Sequence, residues 1–374
     1  MRSGVFKVLI TADAVGGVWQ YSTELAAGLS RLGISTVLAV MGPSPSEKQR
    51  AAAAAIPGLE LVDTGLALDW LAEDGASLRR AAEAIRALAE THECDVVQLN
   101  TPALAAEAEF EIPVVAVQHS CVATWWEAVQ GTELPADFAW RTELNRAGLH
   151  AADAVVTPTA AFGEMVRRRY GLAEAPRTVH NGRTPIEVAP GAPHDFVFTA
   201  GRLWDEGKNL ATLDAAAASI PVPVRAAGPL SGPNGTQVMF EHIHCLGSLD
   251  EEDLARWLAA RPVFVSTALY EPFGLAVLEA ASAGCPLILS DIPTFRELWH
   301  DVAVFIPPRD EAGFTRAIAT LVGDDFERAV SGRAARERAA RFTPDAMAAQ
   351  MASIYRGLLP AVQGPVLAAA RAAA

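Results

Sequence analysis

Short apolar runs alternate with longer segments of helical spacing along almost the whole chain, and the alternation restarts once, just after residue 182. In the first half, 5–11, 35–41, 59–62, 95–99, 113–118, 154–157 and 177–180 read as strands, and 18–32, 46–55, 71–91, 137–151 and 160–170 as helices. Val- and Ile-rich runs bounded by turn residues and separated by helices specify a parallel sheet covered on both faces. Pro185, Pro190, Gly191 and Pro193 then fall close together, a composition suited to an interdomain connector. Beyond them strands are expected at 196–200, 222–227, 242–246, 263–266, 286–290 and 302–306. Helices are expected at 209–219, 274–283, 310–323, 326–342 and 344–358, and Asp250, with Asp253 three residues on, caps one more that ends at 259. The prediction is an α/β chain of two doubly wound domains, 1–182 and 183–343, facing each other across a cleft. A helix over 344–360 and an Ala-rich tail over 361–374 follow. Open parallel sheets take ligands beyond the carboxyl ends of their strands, so the cleft is the expected reaction site.

Composition narrows the function classes. At 374 residues, 51% hydrophobic and 20% charged, the chain has the make-up of a packed soluble protein larger than one ordinary domain. No apolar stretch is long enough for a membrane span, and the N-terminus, interrupted by Lys7, does not read as a signal peptide. The expected location is the cytoplasm. Cys94, Cys121, Cys245 and Cys285 lack metal-ligand spacing and read as reduced thiols. A net charge of −14, with both halves acidic, disfavours a nucleic-acid partner and gives no support for attachment to an anionic membrane.

The residues that invite chemistry sit at predicted strand ends. In Glu271-Pro-Phe-Gly-Leu-Ala-Val-Leu-Glu279, a helix from 274 places Glu279 about 10–12 Å beyond Glu271 and on the same side. A carboxylate within Ala-Val-Leu-Glu279-Ala-Ala is costly to bury alone, and a hydroxyl-rich ligand is one partner that would satisfy it. The amides of Phe273, Gly274 and Leu275 would open that helix toward hydroxyls or phosphate. Arg202 and Lys208 flank the loop after the second domain's first strand, where a phosphate-bearing ligand explains them; ion pairs to Asp205 and Glu206 are the alternative. Gly16 and Gly17 free the amides at the first helix start, although a tight turn without ligand fits equally. They do not complete a dinucleotide fingerprint, and there is no phosphate loop. His119 ends a strand at the functional edge of the first sheet, as a ligand contact or as a satisfied structural histidine. Trp125, Trp126 and Trp140 follow it, suited to stacking on a sugar or to core packing. Trp19 lies in the 16–20 loop, one of three first-domain loops (with 64–75 and 120–140) expected to meet an acceptor. Asp291 and Glu297 are secondary candidates, and Gly228 and His244 fit a base- or ribose-lining role loosely. No metal site is expected.

Taken in order, these motifs resemble the retaining glycosyltransferases of family four, a superfamily of GT-B fold that uses nucleotide sugars and includes glycogen synthases and sucrose-phosphate synthases. The resemblance runs from Gly16-Gly17-Val18 through His119, His180-Asn181-Gly182 and Gly201-Arg202-Leu…Lys208-Asn209 to Glu271…Glu279 and Ala283-Gly-Cys-Pro. It implies two Rossmann-like domains, an acceptor-binding one at 1–182 and a donor-binding one at 183–343, with the last helix crossing back to the first. Arg202 and Lys208 would hold the donor diphosphate and Glu279 the ribose. Glu271 and the 273–275 amides would grip the transferred sugar, His119 would lie near its anomeric carbon, and Gly17 near the phosphates or acceptor. Trp19, Trp125 and Trp126 fall on the acceptor side. No metal or cofactor is implied beyond the UDP- or GDP-linked substrate. The acceptor would be a saccharide, a small molecule or a glycolipid. The Arg202–Lys208 spacing is one residue longer than is common in the family, so that loop must bulge at 204–207. Two other readings remain: a UDP-sugar epimerase, which turns over donor without an acceptor, and a noncatalytic subunit that binds nucleotide sugar without turnover.

Overall fold

A computed structural model describes residues 6–69, 72, 74–185, 195–233 and 235–360. Most of the Pro/Gly connector, the first residues of the expected helix at 71 and the tail at 361–374 lie outside them. The first half runs β1 (Lys7–Asp13), α1 (Gly17–Arg31), β2 (Ser35–Met41), α2 (Glu47–Ala54), β3 (Leu59–Asp63), α3 (Gly75–Thr91), β4 (Val96–Leu99), β5 (Val114–Val117), α4 (Val122–Val129), α5 (Ala139–Ala151), β6 (Ala154–Thr157), α6 (Ala160–Tyr170) and β7 (Arg177–Thr178). The second runs β8 (Val197–Ala200), α7 (Leu210–Ala217), β9 (Val224–Ala227), β10 (Ile243–Cys245), α8 (Glu251–Ala259), β11 (Val263–Ser266), α9 (Leu275–Ala283), β12 (Leu287–Ser290), α10 (Pro293–Trp299), β13 (Ala303–Ile306), α11 (Glu311–Gly323), α12 (Asp325–Ala339) and α13 (Pro344–Leu358).

Each half builds one parallel sheet. The first has the order β3-β2-β1-β4-β5-β6-β7 and the second β10-β9-β8-β11-β12-β13. The order reverses between β1 and β4 and again between β8 and β11, which fixes the crevice of each domain. Helices cover both faces, so the central strands do not alternate between core and solvent: Val8, Leu9 and Ile10 are all fully buried. Helix starts follow the expected chemistry. Asp74 accepts from the Ser77 amide at 2.9 Å, Asp250 from Asp253 at 2.9 Å and Thr343 from Ala346 at 3.1 Å.

Two helices have no counterpart in the sequence reading. α4 starts at an unusual cap, the Cys121 thiol, whose Sγ lies 3.4 Å from the Thr124 amide. α10 is only seven residues long, too short for a periodic signal, and starts on Pro293. The strand expected at 177–180 shrinks to Arg177–Thr178, and the helix expected at 326–342 runs from Asp325 to Ala339.

α13 lies along α1. Its Met347, Met351, Ala352 and Tyr355 are fully buried in the same cluster as Leu25 and Leu29, and the Tyr355 hydroxyl bonds the Gln98 amide oxygen. The chain thus passes between the two sheets near residue 183 and again near 343. The two crossings touch: the Arg183 amide donates to the Phe342 carbonyl at 3.1 Å. At Gly182 any Cβ would stand 2.2 Å from the Thr343 oxygen, so only glycine allows this approach. Met351→Ala should therefore cost about 2–5 kcal/mol of stability, read as a lowered urea midpoint at unchanged slope.

Candidate functional site

The reversal point of the second sheet carries the charged residues singled out in the sequence. β8 delivers Gly201 and Arg202, and β11 leads to Glu271. The Lys208 ammonium donates to the Glu271 carboxylate, and both side chains line a small pocket with Thr199, Gly201, Ser266 and Val277. In the loop expected to bulge at 204–207, the chain makes a 3-10 turn at Glu206–Lys208, capped by Asp205. Asp205 is buried and also holds Arg202, whose Nη2 donates to Oδ2 at 2.9 Å. The ion-pair alternative thus describes Arg202, whereas Glu206 turns away and accepts from Gln130. Arg202 still leaves most of its side chain in solvent.

α9 opens toward the same pocket. Its cap, Gly274, sits at φ +90°, ψ +68°, a left-handed conformation that disfavours any side chain. The Phe273 ring is buried against Phe342, so its backbone rather than its ring is offered to a ligand. The Gly16-Gly17 turn of the first domain approaches from the other side of the cleft: a Cβ on Gly17 would come within 3.3 Å of Leu275. The residues on either side of Glu271 are also held by the first domain. The Tyr270 hydroxyl lies 2.9 Å from Thr124 Oγ1, and Thr159 donates to the Pro272 carbonyl at 2.9 Å.

Glu279 is not alone in its apolar helix. Arg183 donates from Nε to Glu279 at 2.9 Å, from Nη1 to Glu24 at 3.1 Å and from Nη2 to Glu251 at 2.8 Å. Glu24 is further held by the Thr184 amide and hydroxyl. Burial pushes the Glu279 carboxyl above the usual carboxylate range; Arg183 pulls it down, while Glu251 and Glu24 add to the rise. Burial also works against the Arg183 charge, but its carboxylates outweigh that and hold the guanidinium protonated. The sequence reading missed Arg183, Glu24 and Glu251. Their partners lie far apart in the chain, and the one local signal is a glutamate at 24 on the face of α1 that also carries Tyr21, Leu25 and Gly28.

On the first sheet, β1 and β4 end beside a second small pocket lined by Asp13, Asn100, Thr101 and Leu68. His119 stands next to it, with Nε2 3.1 Å from Asn100 Oδ1 and its ring edge-on to Tyr21 at 4.4 Å. Burial pushes its pKa down to about 4, so the ring is neutral at pH 7. Burial raises Asp13, against the Val15 and Gly16 amides and the charge of Arg202 across the cleft.

The aromatic expectations divide. Trp19 is a core residue, buried in the first domain's main cluster, because α1 turns it toward the sheet rather than the cleft. Trp125 does face the cleft, but its indole N–H is committed to Asp205 at 3.0 Å. Trp126 donates to Thr132 and packs near Phe138, and Trp140 lies under the Arg141 guanidinium. Glu297 faces the other domain instead of the pocket: it accepts from the Ala160 and Ala161 amides at the start of α6 and bonds the His180 ring. Burial opposes its charge, but His180 and the two amides win and keep it below the usual range. Asp291 is taken by Arg296, His244 is exposed, and Gly228 packs directly on Gly201. Among the described residues no group of three or more His, Cys, Asp or Glu could hold a metal, and no helix is long and apolar enough to cross a membrane.

Comparison with known proteins matches residues 15–185 to Glycosyltransferase Family 4 and residues 194–324 to Glycosyl transferases group 1. The glycogen synthase of Mycobacterium tuberculosis is 24% identical, over 87% of this chain and 86% of its own. Sucrose-phosphate synthase from Thermosynechococcus elongatus superposes with a TM-score of 0.76 at 20% identity, covering 94% of this chain and 99% of that one. Anabaena HepE in complex with UDP-glucose gives 0.71 at 19%, covering 94% and 100%.

Arg183→Met should strand buried carboxylates and cost about 3 kcal/mol in chemical denaturation at pH 8. The loss should shrink as pH is lowered, because Glu279, already raised, takes up a proton in place of the missing cation. For His119 the unfolded chain binds a proton near 6.5 and the folded one only near 4. Stability contributed by the neutral ring is therefore complete above 6.5 and falls as pH drops toward 4. His119→Gln should flatten that part of the pH profile of the urea midpoint.

Proposed function

This chain is a nucleotide-sugar-dependent glycosyltransferase of the GT-B fold, related to family 4 and group 1, and we propose that it transfers a sugar with retention from a UDP- or GDP-sugar to an acceptor hydroxyl. The observation that carries this reading is the grouping of Lys208 and Glu271 with the open end of α9 in one pocket at the reversal point of the second sheet, with Arg202 following Gly201 of that pocket. Two cations beside free helix amides suit a diphosphate, and the adjoining carboxylate suits the hydroxyls of a sugar. In this assignment 1–182 binds acceptor and 183–343 binds donor. Arg202 and Lys208 take up negative charge as the diphosphate leaves, Glu279 receives the ribose hydroxyls, and Glu271 with the 273–275 amides holds the sugar. Lys208 donates to Glu271 and keeps it aimed until the sugar arrives.

The bond between the anomeric carbon and the β-phosphate oxygen breaks first, its electron pair leaving with the diphosphate. The acceptor oxygen then bonds the same face of the oxocarbenium-like carbon, and its proton passes to the departing phosphate. A neutral His119 beside Asn100 adds a hydrogen bond near that carbon without adding positive charge. Gly17, against Leu275, closes the phosphate end of the cleft. The indole N–H groups of Trp125 and Trp126 are engaged by Asp205 and Thr132, so only their ring faces are left for the acceptor side. A saccharide, a small molecule or a glycolipid would serve as acceptor, and the cytoplasm would be the place of reaction.

A panel of UDP- and GDP-sugars read by mass spectrometry tests the assignment. Lys208→Ala should lower kcat/KM about 100-fold or more, and Glu279→Gln should raise the donor KM about tenfold. Donor turnover unchanged in both variants would overturn the site. Isomerised donor with no nucleotide released would point to an epimerase instead.

A further inference from the structure

Asp205 is a buried carboxylate at the lip of the donor pocket, and it binds three donors of different origin. Oδ1 accepts from the Gly207 amide at 2.9 Å and from the Trp125 indole at 3.0 Å; Oδ2 accepts from Arg202 at 2.9 Å. The first donor belongs to its own loop. The second belongs to α4, in the other domain. The third is the arginine that faces the leaving group in the reading above, on which this inference rests. Arg202 is mostly exposed, with 61% of its side chain accessible, and Asp205 is the carboxylate that anchors it.

α4 is docked both on this loop and on the segment leading to Glu271. Its Thr124 hydroxyl meets Tyr270, and Gln130 next to its end bonds Glu206. The indole edge lies so close to Gly207 that any Cβ there would be 2.7 Å from Nε1. The Gly207 carbonyl in turn accepts from the Leu269 and Tyr270 amides. The loop is therefore held between α4 on one side and the segment leading to Glu271 on the other. A long arginine loses rotamer freedom when it engages a ligand, and one already held by a carboxylate has lost part of that freedom before the reaction.

We propose that Trp125 and Asp205 are positioning residues, a relay through which the seating of α4 of the first domain sets the Arg202 guanidinium for the leaving diphosphate. When α4 lifts away, Asp205 loses its indole donor, water reaches Oδ1, and the carboxylate is free to swing with Arg202. Leaving-group stabilisation then depends on the first domain being in place, which suppresses loss of the sugar to water in the open enzyme. A group that acts only in the transition state changes kcat rather than ground-state binding.

The test uses the full chain and whichever sugar nucleotide the wild type turns over, with nucleoside diphosphate release into water as the readout. Trp125→Phe and Asp205→Asn should lower kcat about tenfold or more, with the donor KM moving less than about threefold. Trp125→His, which keeps a ring N–H, should recover part of the loss. Tyr270→Phe deletes a hydrogen bond across the same contact without touching Asp205, and its kcat should stay within about threefold of wild type. Equal kcat losses in Tyr270→Phe and Trp125→Phe, or wild-type kcat in Trp125→Phe, overturn the relay. A second readout needs no turnover. The indole N–H signal of Trp125, identified by its absence in Trp125→Phe, should shift in Arg202→Ala; an unmoved signal also overturns the relay. Failure of wild type to bind UDP or GDP in calorimetry sinks the donor reading, and the indole shift still decides whether Arg202 and Trp125 are coupled.

Discussion

One guanidinium holds this architecture together. Arg183 leaves the first domain, is almost wholly buried, and meets carboxylates from α1, α8 and α9. Three carboxylates share this one cation, and it is the member whose loss leaves Glu24 and Glu279 buried without a counter-charge. Arg183 fixes α1 against the connector and α9 against both. Since α1 starts at the Gly16-Gly17 turn and α9 starts at Gly274, the same contact sets how the two open helix ends meet across the cleft.

The sequence discloses much of the scaffold and part of the site. Parallel strands buried on both faces are nearly continuous apolar runs, so β2, β6 and β11 are legible to the residue. α4 and α10 are not, since one begins on a thiol and the other is about two turns of helix. The same limit applies to the charged residues. Lys208 and Glu271 stand out because each sits near a strand end, where position alone argues for a ligand. Glu279 stands out through its apolar neighbours, but its protein partner does not, because Arg183 lies 96 residues away in a stretch that reads as connector.

Trp19 and Trp125 show why residue type underdetermines role. Both are tryptophans in first-domain helices close to the cleft. Trp19 follows the 3.6-residue stripe of α1 and falls on its inner face with Leu25 and Leu29. Trp125 sits on an unforeseen helix and spends its only donor on a carboxylate 80 residues away. Glu297 makes the same point: charge and position suggest ligand binding, and three donors from the other domain claim it.

The paired chain crossings at 182–183 and 342–343 have a mechanical meaning. A domain tethered by one strand can bend, twist and slide against its neighbour. Two strands crossing side by side, bonded to each other and with no room for a side chain between them, remove the twist and the slide. Any relative movement of the domains must therefore pivot where Gly182 and Thr343 are pressed together, since the two crossings are fastened to each other there.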